Sequence, residues 1–252
     1  MQITFNCQLI SKQNILPFDY HYQLYSALKK AYIKKYHCWL TYKICPFIIS
    51  PIQFRYRPTH KKFVGLRINE SEIIIQLRTL DTKILEEFNN AINDGHIINL
   101  YGGSGLSFIV VSRTIEYITF DSNSWFRLLK PGMNVNGEIF TKPHTKEFKS
   151  CLFQNLVSKH QAIFGSEEEF SEDCFKIIPN SLITRKTLTV KTDKYYSYTF
   201  DFSLDCPDKL IEVGLNCGFG SRNTMGLGFC NVIKPIEAIE PKYIPLPGLL
   251  VR

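Results

Sequence analysis

Apolar and polar residues alternate from the first positions of the chain. Ile3, Phe5, Cys7 and Leu9 interleave with Gln2, Thr4, Asn6 and Gln8, the two-residue period of a strand with one buried face. Past the polar turn ending in Leu16-Pro17-Phe18-Asp19 the period lengthens. Leu24, Ala27, Leu28 and Ala31 recur at three and four residues, which predicts a helix with a core stripe. Asp19 is placed to cap it, and it should end near Tyr36-His37-Cys38-Trp39. Tyr22, Tyr25, Lys29 and Tyr36 are expected on its exposed face. Cys45 to Phe54 reads as an edge strand interrupted by Pro51, and Phe63 to Ile68 and Ile73 to Leu80 as further strands. Asp81 or Thr82 starts a helix through Ile84, Leu85, Phe88 and Ile92 that Gly95 stops. Ile97 to Tyr101 and Leu106 to Tyr117 return to strand.

That order, strand, helix, strands, helix, strand, is the ferredoxin-like plan, with helices on one face of an antiparallel sheet. It recurs. Beyond Asp121 to Ser124 and the turn at Lys130-Pro131-Gly132 come a short strand at Glu138 to Thr141 and a helix from Lys146 to Phe164. Phe148, Leu152, Leu156 and His160 lie at that helix's spacing. Glu167 to Glu169 reads as a solvated loop. Leu182 to Lys191 and Tyr195 to Leu204 form a strand pair, and Pro207-Asp208 opens a short helix through Leu210, Ile211 and Val213. A last strand covers Leu227 to Ile233. The predicted fold is α+β, two tandem ferredoxin-like (RRM-like) domains at 1–122 and 123–252.

Composition narrows the function. The longest apolar runs, Phe47 to Ile49 and Phe108 to Val111, are strand-sized, which excludes a membrane-spanning helix. No secretory signal is visible at Met1-Gln-Ile-Thr-Phe. Eight cysteines are scattered without a CxxC pair, which predicts reduced, cytoplasmic thiols and no zinc site. The net charge is +7, unevenly spread: from Tyr20 to Asn69 there is no Asp or Glu. Lys29, Lys30, Lys34, Lys35, Lys43, Arg55, Arg57, Lys61, Lys62 and Arg67 all fall there, interleaved with Tyr20, Tyr22, Tyr25, Tyr32, Tyr36, Trp39, Tyr42 and Tyr56. Cations grip phosphates and flat rings stack bases, a mixture suited to single-stranded RNA.

Between the last predicted helix and strand lies Gly214-Leu-Asn-Cys-Gly218-Phe-Gly220-Ser-Arg222-Asn223-Thr-Met-Gly226-Leu-Gly228-Phe229. Its glycines permit positive φ and a close backbone approach to a ligand, with Arg222 and Asn223 expected at the tip. It is not the dinucleotide fingerprint, since no strand precedes its first glycine and no helix follows its last. The pattern of paired glycines before a C-terminal strand resembles the signature of the RAMP superfamily. It is most similar to the CRISPR repeat-RNA endoribonucleases that cut precursor guide RNA. Leu16-Pro17 before an aromatic-rich helix, a single His after that helix, Pro46-Phe47-Ile48-Ile49-Ser50 and Asn155-Leu156-Val157-Ser158-Lys159 add to the resemblance.

The resemblance implies metal-independent cleavage in which the RNA's own 2′-OH attacks, so no cofactor is expected. A general base or acid near neutral pH then falls to histidine. His37 follows the first helix, lies in the basic stretch and matches the family's catalytic position. Lys43 is the candidate to stabilise transition-state charge, and Tyr25 to orient or protonate the leaving oxygen, with Tyr22 and Tyr32 as alternatives. His21 is the second candidate imidazole. His60 reads as a loop contact, and His96, His144 and His160 as structural. Lys29, Arg55, Arg57, Lys61, Lys62, Gly218, Gly220, Arg222, Asn223 and Gly226 are the expected RNA contacts. The implied partner is single-stranded or hairpin repeat RNA, with other CRISPR effector subunits or a second copy of the chain also allowed. Two rival readings share the fold: a non-catalytic RAMP-type subunit of an effector complex, and a ferredoxin-like module that binds proteins.

Overall fold

The computed structural model describes residues 1–37, 40, 44–54, 59–61, 65–68, 72–101, 105–137, 141–165, 168–190 and 193–233, with backbone alone at 59–61, 189–190 and 193. In chain order the first part holds β1 (Gln2–Leu9), β2 (Ile15–Pro17), α1 (His21–Tyr36), β3 (Phe47–Ile49), β4 (Gln53–Phe54), β5 (Thr59–Lys61), β6 (Gly65–Arg67), β7 (Glu72–Thr79), α2 (Thr82–Ala91), β8 (Ile97–Asn99) and β9 (Ser107–Glu116). The main sheet runs β3-β7-β1-β9-β8, with β4 on another stretch of β7. Ile3, Phe5 and Cys7 of β1 stand opposite Leu77, Ile75 and Ile73 of β7. That apolar face receives Leu24, Leu28 and Ala31 of α1 and Ile84, Leu85 and Phe88 of α2. Phe88 is fully buried against Tyr32 and Phe47, and removing such a ring costs roughly 3–5 kcal/mol.

Asp81 caps α2 as expected, accepting from the N–H groups of Lys83 at 2.9 Å and Ile84 at 3.3 Å. Asp19 does not cap α1. Tyr20 is the N-cap and already has helical φ and ψ of −61° and −17°, so Asp19 sits one residue too early and instead accepts from the Tyr101 hydroxyl at 3.5 Å. Nor is the tyrosine face of α1 bare. Tyr25 and Tyr36 lean on the first core, and Tyr22 on a small cluster with Leu188, Tyr195 and Leu227.

The second part holds β10 (Trp125–Leu128), α3 (Lys146–Phe164), β11 (Lys176–Pro179), β12 (Thr184–Val190), β13 (Asp193–Thr199), β14 (Asp201–Asp205), α4 (Asp208–Cys217) and β15 (Cys230–Ile233). Its sheet runs β11-β14-β10-β15. In both parts the first strand lies between the third and the last, so the architecture is two tandem ferredoxin-like units. The opening strand of the second unit is Trp125–Leu128 and not Glu138 to Thr141. Phe126 and Leu128 enter the core there, Thr141 is not in a strand, and 138–140 lie outside the described residues. The predicted pair Leu182–Lys191 and Tyr195–Leu204 also divides differently. β12 and β13 form a separate ribbon, and the sheet takes β14 and the unpredicted β11. Similarly, Gly65–Arg67 joins β2 and β5 in a small three-stranded sheet apart from the main one.

The units meet through buried polar side chains. Gln2 and Thr4 of β1 face away from the first core yet are 3% and 8% exposed. Beside them Arg78 of β7 donates to Gln2 Oε1 at 2.6 Å, to the carbonyl of Cys230 at 2.5 Å and to Asn231 Oδ1 at 3.4 Å. Its guanidinium also lies 4.0 Å from the centre of the Phe229 ring. Among the described residues no helix is long and apolar enough to cross a membrane, and the described cysteines are free thiols.

Candidate nucleic-acid interface

A cleft of about 790 Å³ opens between the units. Tyr20, His21 and Pro51 to Phe54 line one side, and Arg127 to Pro131, Thr184, Lys186 to Leu188 and Thr199 to Asp201 the other. The second unit supplies the charge. Arg127 is held by Asp201 in a paired contact of 2.9 and 3.1 Å, which leaves Lys130 and Lys186 as the cationic wall. Burial and the neighbouring charge of Lys130 lower the Lys186 pKa. Like charges placed together in this way attract an anion.

His21 sits at the cleft's edge in the first turn of α1. Its ring stacks on Tyr20 at 4.1 Å and is 7% exposed. Burial, and then the charge of Lys186, push its pKa down to about 4, so the imidazole is neutral at pH 7. The Tyr20 hydroxyl in turn accepts from the Ile52 N–H at 2.9 Å.

His37 occupies the opposite end of the same helix. It is the C-cap, exposed and left-handed at φ 56°, and its N–H donates to the Ile33 carbonyl at 2.7 Å. Lys34 and Lys35 flank it in the last turn. His96 is close enough to Lys34 that its pKa is lowered, by burial first and by that charge second. Sixteen residues of helix at about 1.5 Å each separate His21 from His37 by roughly 24 Å, so they cannot serve one phosphate. Tyr25 is about 18 Å from His37 by the same measure, and helical side chains lean toward the N-terminus, carrying its ring further away. The structure therefore does not bring Tyr25 and His37 together. Lys43, Arg55, Arg57 and Lys62 lie outside the described residues, and Lys61 is described only by its backbone in β5. Lys29 is half-buried on α1.

The glycine loop turns inward. Asn223 is not at its tip but 4% exposed, donating through Nδ2 to the Leu227 carbonyl at 2.8 Å. Its Oδ1 accepts from Lys159 Nζ at 2.9 Å, and the same ammonium donates to the carbonyls of Gly218 at 2.5 Å and Gly220 at 2.6 Å. Gly218, at φ 88°, has no room for a side chain: a Cβ would stand 2.3 Å from Asn223 Nδ2 and 2.6 Å from Ile48 Cδ1. Gly220 and Gly226 are buried too. Only Arg222 of the expected loop contacts is exposed, its guanidinium 4.8 Å above the Tyr195 ring. Protein, and not a ligand, thus occupies the space these glycines leave.

Lys159 was legible in part, because it falls on the buried stripe of α3 with Leu152, Leu156 and His160. Lys130 and Lys186 carried no local signal, since only the fold sets them opposite His21. Among the described residues, no three His, Cys, Asp or Glu side chains gather as a metal-binding group.

Residues 127–232 match the family described as "CRISPR associated protein Cas6, C-terminal". The "CRISPR-associated endoribonuclease Cas6 1" of Methanocaldococcus jannaschii is 24% identical over 232 residues, covering 85% of this chain and 86% of the relative. Among solved structures, "An RAMP protein binding different RNA substrates" superposes with a TM-score of 0.81 at 18% identity, over 93% of this chain and 100% of that one. A "Cas6-related gene" product from Pyrococcus furiosus gives 0.78 at 19% identity, over 92% and 98%. The C-terminal Cas6 family is thus matched across most of the second unit, and the chain as a whole is similar to a Cas6 endoribonuclease along most of both lengths.

Proposed function

We propose that this protein is an endoribonuclease that binds CRISPR repeat RNA in the cleft and over the basic stretch, and cuts precursor transcripts into guide RNAs. Its sequence relationship to an endoribonuclease along most of the chain supports the activity. In the proposed reaction His37 accepts the proton of the 2′-OH, and the 2′-oxygen attacks the adjacent phosphorus. The P–O5′ bond breaks, leaving a 2′,3′-cyclic phosphate and a 5′-oxygen that takes up a proton. The nucleophile belongs to the substrate, so the step needs no metal. Lys43 is assigned to the charge on the phosphorane. The two domains are drawn at 1–122 and 123–252.

The backbone of His37 carries the site assignment. A left-handed C-cap favours glycine, and a side chain there costs roughly 1 kcal/mol or more. An exposed imidazole kept at that position beside Lys34 and Lys35, despite its cost, fits a chemical role. Incubating repeat RNA with the protein in EDTA tests the reading. A discrete product with a 5′-OH end is expected, and a strand with 2′-deoxyribose at the cut site should bind but stay intact. Binding without cleavage would instead favour a non-catalytic RAMP subunit, and loss of cleavage in EDTA restored by Mg²⁺ would overturn metal independence.

A further inference from the structure

Lys159 is the most enclosed ammonium among the described residues, and no carboxylate touches it. It is 2% exposed, and its three acceptors are two backbone carbonyls and one amide oxygen. Burial lowers its pKa to about 8, with the thiols of Cys217 and Cys45 acting weakly in the opposite direction. Keeping a charged group in so closed a place is expensive unless every proton has a partner, and here three are supplied. All three lie on one short loop, and that loop rests on the other unit. Its turn at Asn223–Met225 packs against β3 and α1. Gly218 abuts Ile48, and a Cβ on Gly226 would lie 3.2 Å from the Pro51 nitrogen. Just before the loop, Cys217 Sγ donates to the Pro46 carbonyl at 3.3 Å, and the Met1 ammonium donates to Asn216 Oδ1 at 2.6 Å.

We propose that Lys159 is a positioning residue: through Asn223 and the carbonyls of Gly218 and Gly220 it latches the glycine loop of the second unit onto β3 and α1 of the first, and so fixes the width of the RNA cleft. The latch stands on geometry alone; only its effect on RNA rests on the function proposed above. The loop's glycines are then explained by close approach of protein to protein. Pro51 and Ile52, directly beneath the latch, also line the cleft, which is the route by which the loop sets the cleft's shape.

Hydrogen exchange on the full chain tests this without RNA, comparing the parent with Lys159→Met. The reporters are the amides of Ser50 and Ile52, which bond within the first unit to the Gln76 carbonyl at 2.7 Å and to Tyr20 Oη at 2.9 Å. A latch predicts that these exchange about tenfold faster or more, together with residues 218–228. Faster exchange confined to 218–228, or no change, overturns it. With repeat RNA the latch predicts a KM raised about tenfold and kcat changed less than about threefold, since His37 keeps its local setting at the far end of α1. A fall in kcat at unchanged KM overturns it. Should Lys159→Met not fold, Asn223→Ser leaves the cation in place and is read by the same two measurements. A parent protein that fails to cut RNA while the exchange result holds would remove the proposed function and leave the latch; the reverse outcome would remove only the latch.

Discussion

Arg78 Nη1 donates to the carbonyl of Cys230 at 2.5 Å, joining an inner strand of the first sheet to an edge strand of the second. The same guanidinium holds Gln2 and lies over Phe229. Its partners would be left buried and unpaired if it were cut back. Arg78→Ala should therefore destabilise the protein by about 1–3 kcal/mol for each buried acceptor it leaves unpaired. Arg78→Lys should recover little, because one ammonium cannot reproduce the planar fork and the ring contact. Chemical denaturation of both variants checks this, and full recovery by lysine would contradict it.

His37 separates stability from chemistry. His37→Gly relieves the left-handed backbone and should raise stability by up to about 1 kcal/mol. The same change should lower cleavage by about 10² to 10⁴ with RNA affinity nearly intact. Thermal melts beside single-turnover cleavage would show it. A more stable variant with undiminished cleavage moves the imidazole role elsewhere.

His21 makes the fold sensitive to acid. Its pKa is about 4 when folded and 6.5 in its ordinary state, so the unfolded chain binds more protons between those values. Stability falls as pH drops from 6.5 through 4, by about 3 kcal/mol at most from this group. His21→Phe retains a ring against Tyr20 and removes this contribution, so its stability-pH curve should be flatter over that interval than the parent's. Parallel curves would contradict the assignment.

Among the glycine-loop residues proposed to contact RNA, Arg222 is the exposed one. Arg222→Ala should weaken binding uniformly across sequences and reduce the salt slope by about one. Filter binding at several salt concentrations measures this. An unchanged slope assigns Arg222 to its contact with Tyr195 alone.

The fold was largely legible because its long elements have clean periods. The stripe from Phe148 to His160 and the alternation from Gln2 to Leu9 both mark faces that the structure buries. The short Trp125–Leu128 and Lys176–Pro179 strands escaped notice because four residues cannot display a period, and their pairing comes from the sheet. At the site, a count of charges located a basic region but not the cleft, whose lysines come from the other half of the chain. The glycine signature marked the right loop and suggested the wrong neighbour for Asn223: glycine makes room, and sequence does not say whether ligand or protein will fill it.

In each unit the last strand lies beside the first, so neither sheet can be completed until the end of its unit has left the ribosome. The first can close once Glu116 has emerged, whereas the second waits for β15. Residues 218–228 leave late, shortly before that strand. The cleft between the units should therefore take shape in one late step of synthesis, once β15 has paired.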